Sequence, residues 1–377
     1  MYLAIDCREI LSPARGSYAG IPHYVDGVTR GFLEFAPTDW QIVLFFRPDV
    51  SLEIIQALQS LRSDVKIILV PRFRSIFFLN HFIFSYLILK NKSDLFFAPA
   101  GQLPLGFIGR AVVVVHDLAI YDHPEWFPDN GFVRWFSTKI VVPLSFFRAK
   151  KIITISEATK KDLIRHFKIK EEKIFVVHPA VSIPKIIPVL TDELRQKFDL
   201  LGRYFLCLGT IEPRKNFFMA VKAAKILCEG GVEFRLVIVG KRGWKWQATV
   251  EEIKRVNQSK KIINELGYVS QEEKLALLAG AEALVFPSLY EGFGLPPLEA
   301  MKIGTPIITT AVGSLPEACG SAARYVSGTD PEELALAMKE MADLETRKDY
   351  IERGKQWSEK FTWKKTIEKI LLVLKEK

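Results

Sequence analysis

The chain has 377 residues, with 52 basic against 43 acidic side chains and a net charge of +9. Its length exceeds one ordinary core and suits two domains, while 49% hydrophobic and 25% charged content excludes a disordered chain. The charge favours anionic partners without choosing among nucleotides, membranes and nucleic acid.

Taken in chain order, apolar runs alternate with helical patterns from end to end, as expected for parallel sheets with crossover helices. The N-terminus, Met1-Tyr2-Leu3-Ala4-Ile5-Asp6, lacks a basic stretch and a long apolar run, so it reads as a first strand rather than a signal peptide. Strands are expected at 2–5, 42–46, 66–70, 95–98, 111–115, 152–155 and 175–177, with helices such as 21–35 and 132–147 between them. Gly16-Ser17-Tyr18-Ala19-Gly20-Ile21 links the first strand to an apolar helix, and Gly20 at the helix start lets backbone approach a ligand closely.

From 65 to 93 there is no acidic residue, and Lys66, Arg72, Arg74, Lys90 and Lys92 bracket a 14-residue apolar stretch at 76–89. That is short of the ~20 residues needed to span a bilayer, and Asn80, His81 and Ser85 interrupt it. Two readings stand: a largely buried helix, or a helix lying on an anionic membrane with its aromatic rings in the headgroup zone.

The run 111–115 reads as a fully buried strand and ends in His116-Asp117, which puts a histidine at the strand's C-terminal end. Beyond it, Tyr121-Asp122-His123-Pro124-Glu125-Trp126-Phe127-Pro128 offers an aromatic surface. Two prolines and no periodicity make 182–189 a linker. The expected domains are therefore 1–183 and 190–360, and Thr191 with Asp192 and Glu193 caps the first helix of the second.

The second half restarts the alternation, with strands at 204–208, 235–239, 262–265, 283–286, 306–309 and 323–326. Ser270 with Glu273 reads as a capping box, and Asp330-Pro331-Glu332-Glu333 supplies a cap, an N1 proline and a box acid. There is no repeat at 20–50 residues and no low-complexity tract. Two doubly wound domains predict ligand binding in a crevice outside the strand C-termini. The four cysteines (Cys7, Cys207, Cys228, Cys319) and six histidines have no metal-like spacing, which predicts a reducing compartment with neither a disulfide framework nor a metal site.

The most informative stretch is Tyr290-Glu291-Gly292-Phe293-Gly294-Leu295-Pro296-Pro297-Leu298-Glu299. Two carboxylates eight residues apart flank a Gly-x-Gly turn, and prolines then set the first turn of a helix. Backbone N–H groups at Gly294 and Leu295 suit an anion at the helix N-terminus, while carboxylates accept hydrogen bonds from sugar hydroxyls. Hydroxyls plus diphosphate describe a nucleotide sugar. Upstream, Gly209-Thr210-Ile211-Glu212-Pro213-Arg214-Lys215-Asn216 puts a basic pair beyond a strand, with a planar fork and a compact charge to meet a diphosphate.

Glu291 and Glu299 reproduce the E-x7-E element of retaining glycosyltransferases of family 4, and Gly304-Thr305-Pro306 and Gly313-Ser314-Leu315-Pro316-Glu317 also resemble that family. The resemblance implies the GT-B fold, with two Rossmann-like domains facing across a crevice and a last helix, from Phe361-Thr362-Trp363 onward to about 377, packed back on the first domain. It implies roles for His116, Arg214, Lys215 and Glu291 in catalysis, His116 hydrogen-bonding the donor sugar and Glu291 holding its hydroxyls. Donor binding falls to Gly20, Lys241, Tyr268, Val269, Phe293, Gly294, Leu295 and Glu299, the last on the ribose and the 267–269 backbone at the base. The acceptor is assigned to His23, Tyr24 and Trp126. Some members carry a further arginine where this chain has Gly209 and Thr210, which leaves Arg214 more of the charge.

The resemblance further implies a metal-independent hexosyltransferase needing no cofactor, its donor GDP-mannose or, in competition, UDP-glucose, and its acceptor a glycan or lipid-linked glycan. Such an enzyme is expected in the cytoplasm, peripheral to the inner face of the plasma membrane, and without nucleic-acid partners. A nicotinamide dehydrogenase needs G-x-G-x-x-G after a strand; the nearest match, 292–297, has Pro297 for the third glycine. A non-catalytic membrane or nucleic-acid scaffold leaves His116, Arg214, Lys215, Glu291 and Glu299 without a purpose.

Overall fold

The computed structural model describes residues 1–10, 20–71, 77–128, 131–200 and 202–376, with 77–80 as backbone only. The Gly16–Ala19 part of the glycine loop and Arg72, Arg74 and Ile76 of the basic segment lie outside these residues. The chain forms two compact units, one of Met1–Leu118, Asp129–Val181 and Phe361–Lys377, the other of Ala119–Pro128 and Ser182–Lys360.

The first unit holds seven parallel strands: β1 (Tyr2–Asp6), β2 (Gln41–Phe46), β3 (Lys66–Leu69), β4 (Leu95–Ala98), β5 (Ala111–Val115), β6 (Lys151–Thr154) and β7 (Ile174–Val176), ordered β3-β2-β1-β4-β5-β6-β7. The second holds six: β8 (Tyr204–Leu208), β9 (Arg235–Val239), β10 (Ile263–Gly267), β11 (Leu284–Phe286), β12 (Ile307–Thr310) and β13 (Ala323–Val326), ordered β10-β9-β8-β11-β12-β13. Each expected strand is present; 95–98, 111–115, 204–208, 235–239 and 323–326 agree to the residue, and the ends of the others move by at most two residues. The runs were legible because parallel strands covered on both faces are apolar throughout; β4, β5, β6 and β8 are buried along their whole length. Chain order reverses at β1/β4 and at β8/β11, and such switch points are where open parallel sheets bind ligands.

Helix starts follow local chemistry. Thr191 Oγ1 accepts from the Leu194 N–H at 3.3 Å, and Ser270 with Glu273 closes a reciprocal capping box. Asp330 caps the N–H groups of Glu332 and Glu333. The expected box acid Glu333 instead accepts from Ser327 N–H at 2.7 Å, because the 327–329 turn folds over the first helical turn. The expected 132–147 helix is interrupted: Gly131–Phe136 and Val142–Arg148 are α-helical and Ser137–Val141 forms a wider π turn. Pro143 lacks the N–H for the Lys139 carbonyl and its ring crowds that carbonyl, which the wider turn accommodates.

The C-terminal helix Trp363–Lys375 belongs to the first unit and packs on the helix Gly20–Phe35. Close packing requires glycine there. A Cβ on Gly27 would overlap the Trp363 ring, and one on Gly31 would lie 2.5 Å from Ile367 Cγ1. At the helix's far end the buried Lys151 ammonium donates to the carbonyls of Val373 and Glu376, both at 2.9 Å, placing a cation against otherwise unpaired C-terminal carbonyls. The helix Phe77–Lys90 is neither wholly buried nor wholly exposed: Phe84, Ser85 and Ile88 face inward, while Phe82, Tyr86 and Leu89 face solvent. Among the described residues no helix is long and apolar enough to cross a membrane.

Gly27→Ala should force the Trp363 ring aside and cost about 1–3 kcal/mol, the usual range for overpacking. Hydrogen exchange should show 363–375 losing protection ahead of the β1–β6 strands.

Candidate active site

In the second unit, the loops after β8 and β11 flank the switch point and bring four charged side chains together. Gly209 follows β8 with φ +143°, and Pro213–Lys215 forms a single 3-10 turn that Asn216 ends in the left-handed region at φ 55°. Asn216 holds that strained geometry by donating from Nδ2 to the carbonyls of Pro287 (3.2 Å) and Gly328 (2.8 Å). Across from it, the Leu289 N–H donates to the Arg214 carbonyl at 2.8 Å, fastening the two loops.

Glu291, at the start of the second loop, is buried between two cations. Lys215 Nζ lies 2.6 Å from Oε1, and Arg214 Nη1 lies 3.2 Å from Oε2. Arg214 also donates through Nε to Glu212 at 3.0 Å and through Nη1 to the Tyr290 carbonyl at 3.3 Å. Lys215 Nζ lies 4.7 Å from the Phe286 ring centroid, a cation–π contact at the end of β11. Ser314 Oγ donates to the Glu291 carbonyl at 2.8 Å, so the loop is held through its backbone as well.

The electrostatics follow from burial. Desolvation alone would push the Glu291 carboxyl up, but the Lys215 and Arg214 charges and the Lys215 hydrogen bond outweigh it and hold the pKa below the usual carboxylate value. Desolvation pushes Lys215 below its ordinary value, with Glu291 opposing, and pushes Glu212 up, with Arg214 and Lys215 opposing. Two cations and two carboxylates make the cluster charge-balanced. The sequence reading took Arg214 and Lys215 as cations awaiting a diphosphate; in the structure both already hold carboxylates, and Glu212 is the partner it missed. The buried acid beside a proline in Glu212-Pro213-Arg214 was the available signal.

Gly294, at φ +107°, caps the helix Leu295–Ile303 with its backbone alone, and a Cβ there would stand 3.0 Å from Leu315 Cδ2. Phe293 is buried beside it. Glu299, also buried, receives Lys274 Nζ on both oxygens, at 2.7 and 2.9 Å. Lys274 is a second partner that sequence reasoning missed, although the Ser270 capping box fixes it in the first turn of the helix Gln271–Ala279.

The turns after β8, β9 and β10 are stitched together by Gly209 N–H to Val239, Gly240 N–H to Gly267 and Ile211 N–H to Lys241, at 2.8–2.9 Å. A Cβ on Gly240 would collide with the Gly209 carbonyl, so only glycine permits this approach. On this edge Lys241 Nζ lies 5.7 Å from the Tyr268 ring; both are exposed, and Val269 is buried.

In the first unit, His116 stands just beyond β5 and its Nε2 donates to the Pro99 carbonyl at 2.6 Å, which leaves Nδ1 the acceptor in the neutral ring. Burial pushes its pKa down, against the opposing Pro99 carbonyl and Asp117. Tyr24, expected at the acceptor, lies in the core of the first unit. It is only 1% exposed, and its ring meets His116 edge-on at 4.8 Å. It packs the histidine in place and presents no surface. His23 is half-buried one residue earlier, and Gly20 is exposed at the helix start. Trp126 is found with the second unit, stacked on His123 at 3.8 Å, and His123 meets Tyr290 edge-on at 6.5 Å. Phe127 stacks on Trp244, and Lys245 Nζ donates to the Glu125 carbonyl.

Residues 191–357 match the family described as "Glycosyl transferases group 1", and residues 30–184 match "Glycosyltransferase Family 4". The O-antigen chain mannosyltransferase B of Escherichia coli is 33% identical over 282 residues, covering 72% of this chain and 71% of that one. The chain belongs to the group 1, family 4 glycosyltransferases. The O-antigen chain mannosyltransferase RfbU of Salmonella typhimurium is 28% identical over 62% of this chain and 61% of its own. The crystal structure of Anabaena HepE in complex with UDP and glucose superimposes with a TM-score of 0.72 at 16% identity, covering 99% of both chains. The two parallel-sheet domains are those of the GT-B fold, and this glycosyltransferase carries both elements of the family's E-x7-E pair on its second domain.

Lys215→Met leaves the Glu291 carboxylate buried with one cation fewer, and breaking a buried pair this way typically costs about 3–5 kcal/mol. Glu291 has a depressed native pKa, so its contribution is present above the ordinary value of 4.5 and is lost as pH falls through the native one. The variant, with that native pKa raised, should begin acid unfolding at a higher pH than the wild type when both are followed by circular dichroism.

Proposed function

We propose that this glycosyltransferase moves mannose from GDP-mannose to a hydroxyl of a growing surface glycan, free or lipid-linked, with retention of anomeric configuration. The observation that carries the reading is the buried Lys215–Glu291–Arg214 cluster at the β8/β11 switch point, beside the Gly294 helix start. Its donor assignment is supported by the mannosyltransferase relatives in Escherichia coli and Salmonella typhimurium.

In this reading the diphosphate lies over the Gly294-Leu295 amides, where helix N-terminal donors favour an anion. Arg214 and Lys215 stabilise the charge that grows on the leaving phosphate, and Glu291 accepts from the donor's sugar hydroxyls while keeping both cations oriented. Glu299 takes the ribose, and Lys274 keeps that carboxylate ionised and fixed. The acceptor oxygen attacks the anomeric carbon from the face the phosphate leaves; the old C–O bond breaks as the new one forms, and the acceptor proton passes to the departing phosphate oxygen. Glu291, engaged on both oxygens, is a poor nucleophile for a double displacement of the kind glycosidases use. In the first unit, His116 keeps Nδ1 as an acceptor suited to a hydroxyl. Protein cations supply the charge stabilisation, so no divalent ion is required.

A second reading, transfer of glucose from UDP-glucose, is favoured by the likeness to HepE, whose structure holds UDP and glucose. A thermal-shift series with GDP-mannose, UDP-glucose and ADP-glucose separates the two. GDP-mannose is expected to raise Tm most, and a larger shift with UDP-glucose would replace the mannose assignment.

Glu291→Ala and Arg214→Ala should each lower kcat at least about a hundredfold, the effect of losing ~3 kcal/mol of transition-state stabilisation. Glu291→Gln, which keeps the shape, should lose activity with native circular dichroism. Wild-type turnover in any of these removes that residue from the site. Turnover should also persist in excess EDTA with metal-free donor; activity that disappears and returns with magnesium or manganese would overturn metal independence.

A further inference from the structure

Three stretches of the first unit contain no acidic residue: 65–93, 95–116 and 130–156. Sequence reading singled out only the first. In the fold they become neighbours through one loop, 102–110. Phe82, on the outer face of the helix Phe77–Lys90, would lie 2.8 Å from a Cβ on Gly106, and Ile108, two residues on, is 81% exposed. On the loop's other side, Leu103 N–H donates to Ser145 Oγ and Arg148 Nη1 donates to the Leu105 carbonyl, both at 2.8 Å. Two helical segments thus flank one acid-free loop.

Their outer faces are apolar and aromatic. Phe82, Tyr86 and Leu89 project from one, and Phe132, Val133, Trp135, Leu144 and Phe147 from the other. Among the described residues, every large exposed phenylalanine and tryptophan lies on these two faces. The rings are grouped, with Phe132 stacked against Trp135 at 5.8 Å and against Phe136 at 5.9 Å. Lys90, Lys92, Arg110, Lys139 and Lys150 are exposed around them, and Lys90 Nζ lies 5.9 Å from the Tyr86 ring. Arg148 and Lys151, by contrast, are turned inward to backbone carbonyls. Asp94, which separates the first two stretches, accepts from the Tyr2 N–H at 2.7 Å.

We propose that these two helical faces and the loop between them form one docking surface for an anionic lipid bilayer. Aromatic side chains bordered by lysine and arginine, on segments that carry no carboxylate of their own, match the headgroup boundary chemically. Neither helix is long enough to cross, so the surface lies on the bilayer. Charge complementarity selects the occupant. A second copy of this basic chain would set like charges against each other, whereas each exposed cation near an anionic surface strengthens binding about fivefold, an attraction that salt screens. The binding itself does not depend on the sugar donor. Combined with the glycosyltransferase reading, it places the enzyme where lipid-linked acceptors are held.

The test uses the full chain and vesicles of phosphatidylglycerol with phosphatidylcholine, compared with phosphatidylcholine alone. Sedimentation should show binding to the anionic vesicles at low salt, weakening at least about tenfold in 0.5 M salt. Phe132→Ser/Trp135→Ser and Phe82→Ser/Tyr86→Ser should each weaken binding at least about tenfold, because each removes two interfacial rings. Both double variants change only exposed rings and should keep native circular dichroism and wild-type turnover of a water-soluble mannoside acceptor. Brominated lipid should quench tryptophan emission in the wild type and clearly less in Trp135→Phe. No preference for anionic vesicles, or binding unaffected by the Phe132/Trp135 pair, overturns the two-helix surface. Concentration-dependent dimerisation abolished by the same variants, without vesicle binding, assigns the face to a second copy and also overturns it.

Discussion

The second domain is organised around the bond between Lys215 Nζ and Glu291 Oε1, 2.6 Å long and shielded from water. Neither charge could stand alone in that place, because desolvation acts against both. The pair therefore imposes conditions on everything near it. Arg214 must turn towards Glu291 and Glu212, Asn216 must adopt a left-handed backbone to end the turn, and Ser314 must hold the Glu291 carbonyl. The result is a charge-balanced cluster in which two cations and two carboxylates hold one another in place.

The fold supplies the rigidity that this arrangement demands. β8 and β11 are neighbours although β9 and β10 lie between them in sequence, and their following loops flank the point where strand order reverses in that sheet. Gly240 lets the next turn press onto Gly209, and Gly209 in turn leaves space for the Lys215 stem, which a Cβ there would meet at 3.4 Å. Small residues at these positions convert a loop edge into a fixed surface. The first domain uses aromatic packing to the same end, with Trp363 against Tyr24 and Tyr24 against His116. A helix from the end of the chain thereby contributes to the placement of a histidine near its middle.

Much of this was legible in the chain. Parallel strands buried on both faces leave continuous apolar runs, which is why 111–115 and 204–208 were found to the residue. Caps at Thr191, Ser270 and Asp330 depend on side chains within three residues of the helix start, and local sequence contains everything they need. The Glu291–Glu299 spacing and the Arg214-Lys215 pair were equally visible, since each lies within one short loop or its helix.

Sequence by itself therefore determined the element order and the presence of two parallel-sheet domains, because these follow from contacts over a few residues and from apolar periodicity. Tertiary structure alone decided which charges neutralise which: Glu212 with Arg214, Lys274 with Glu299 and Lys215 with Glu291. It also decided that Tyr24 is buried against His116, that 119–128 sides with the second domain, and that two acid-free helical segments share one loop. Apart from Glu212 with Arg214, two residues apart on one turn, these depend on side chains 25 or more residues apart, or on which face of a helix turns outward. Burial and distance fix such pairings only after the sheets have set the elements side by side.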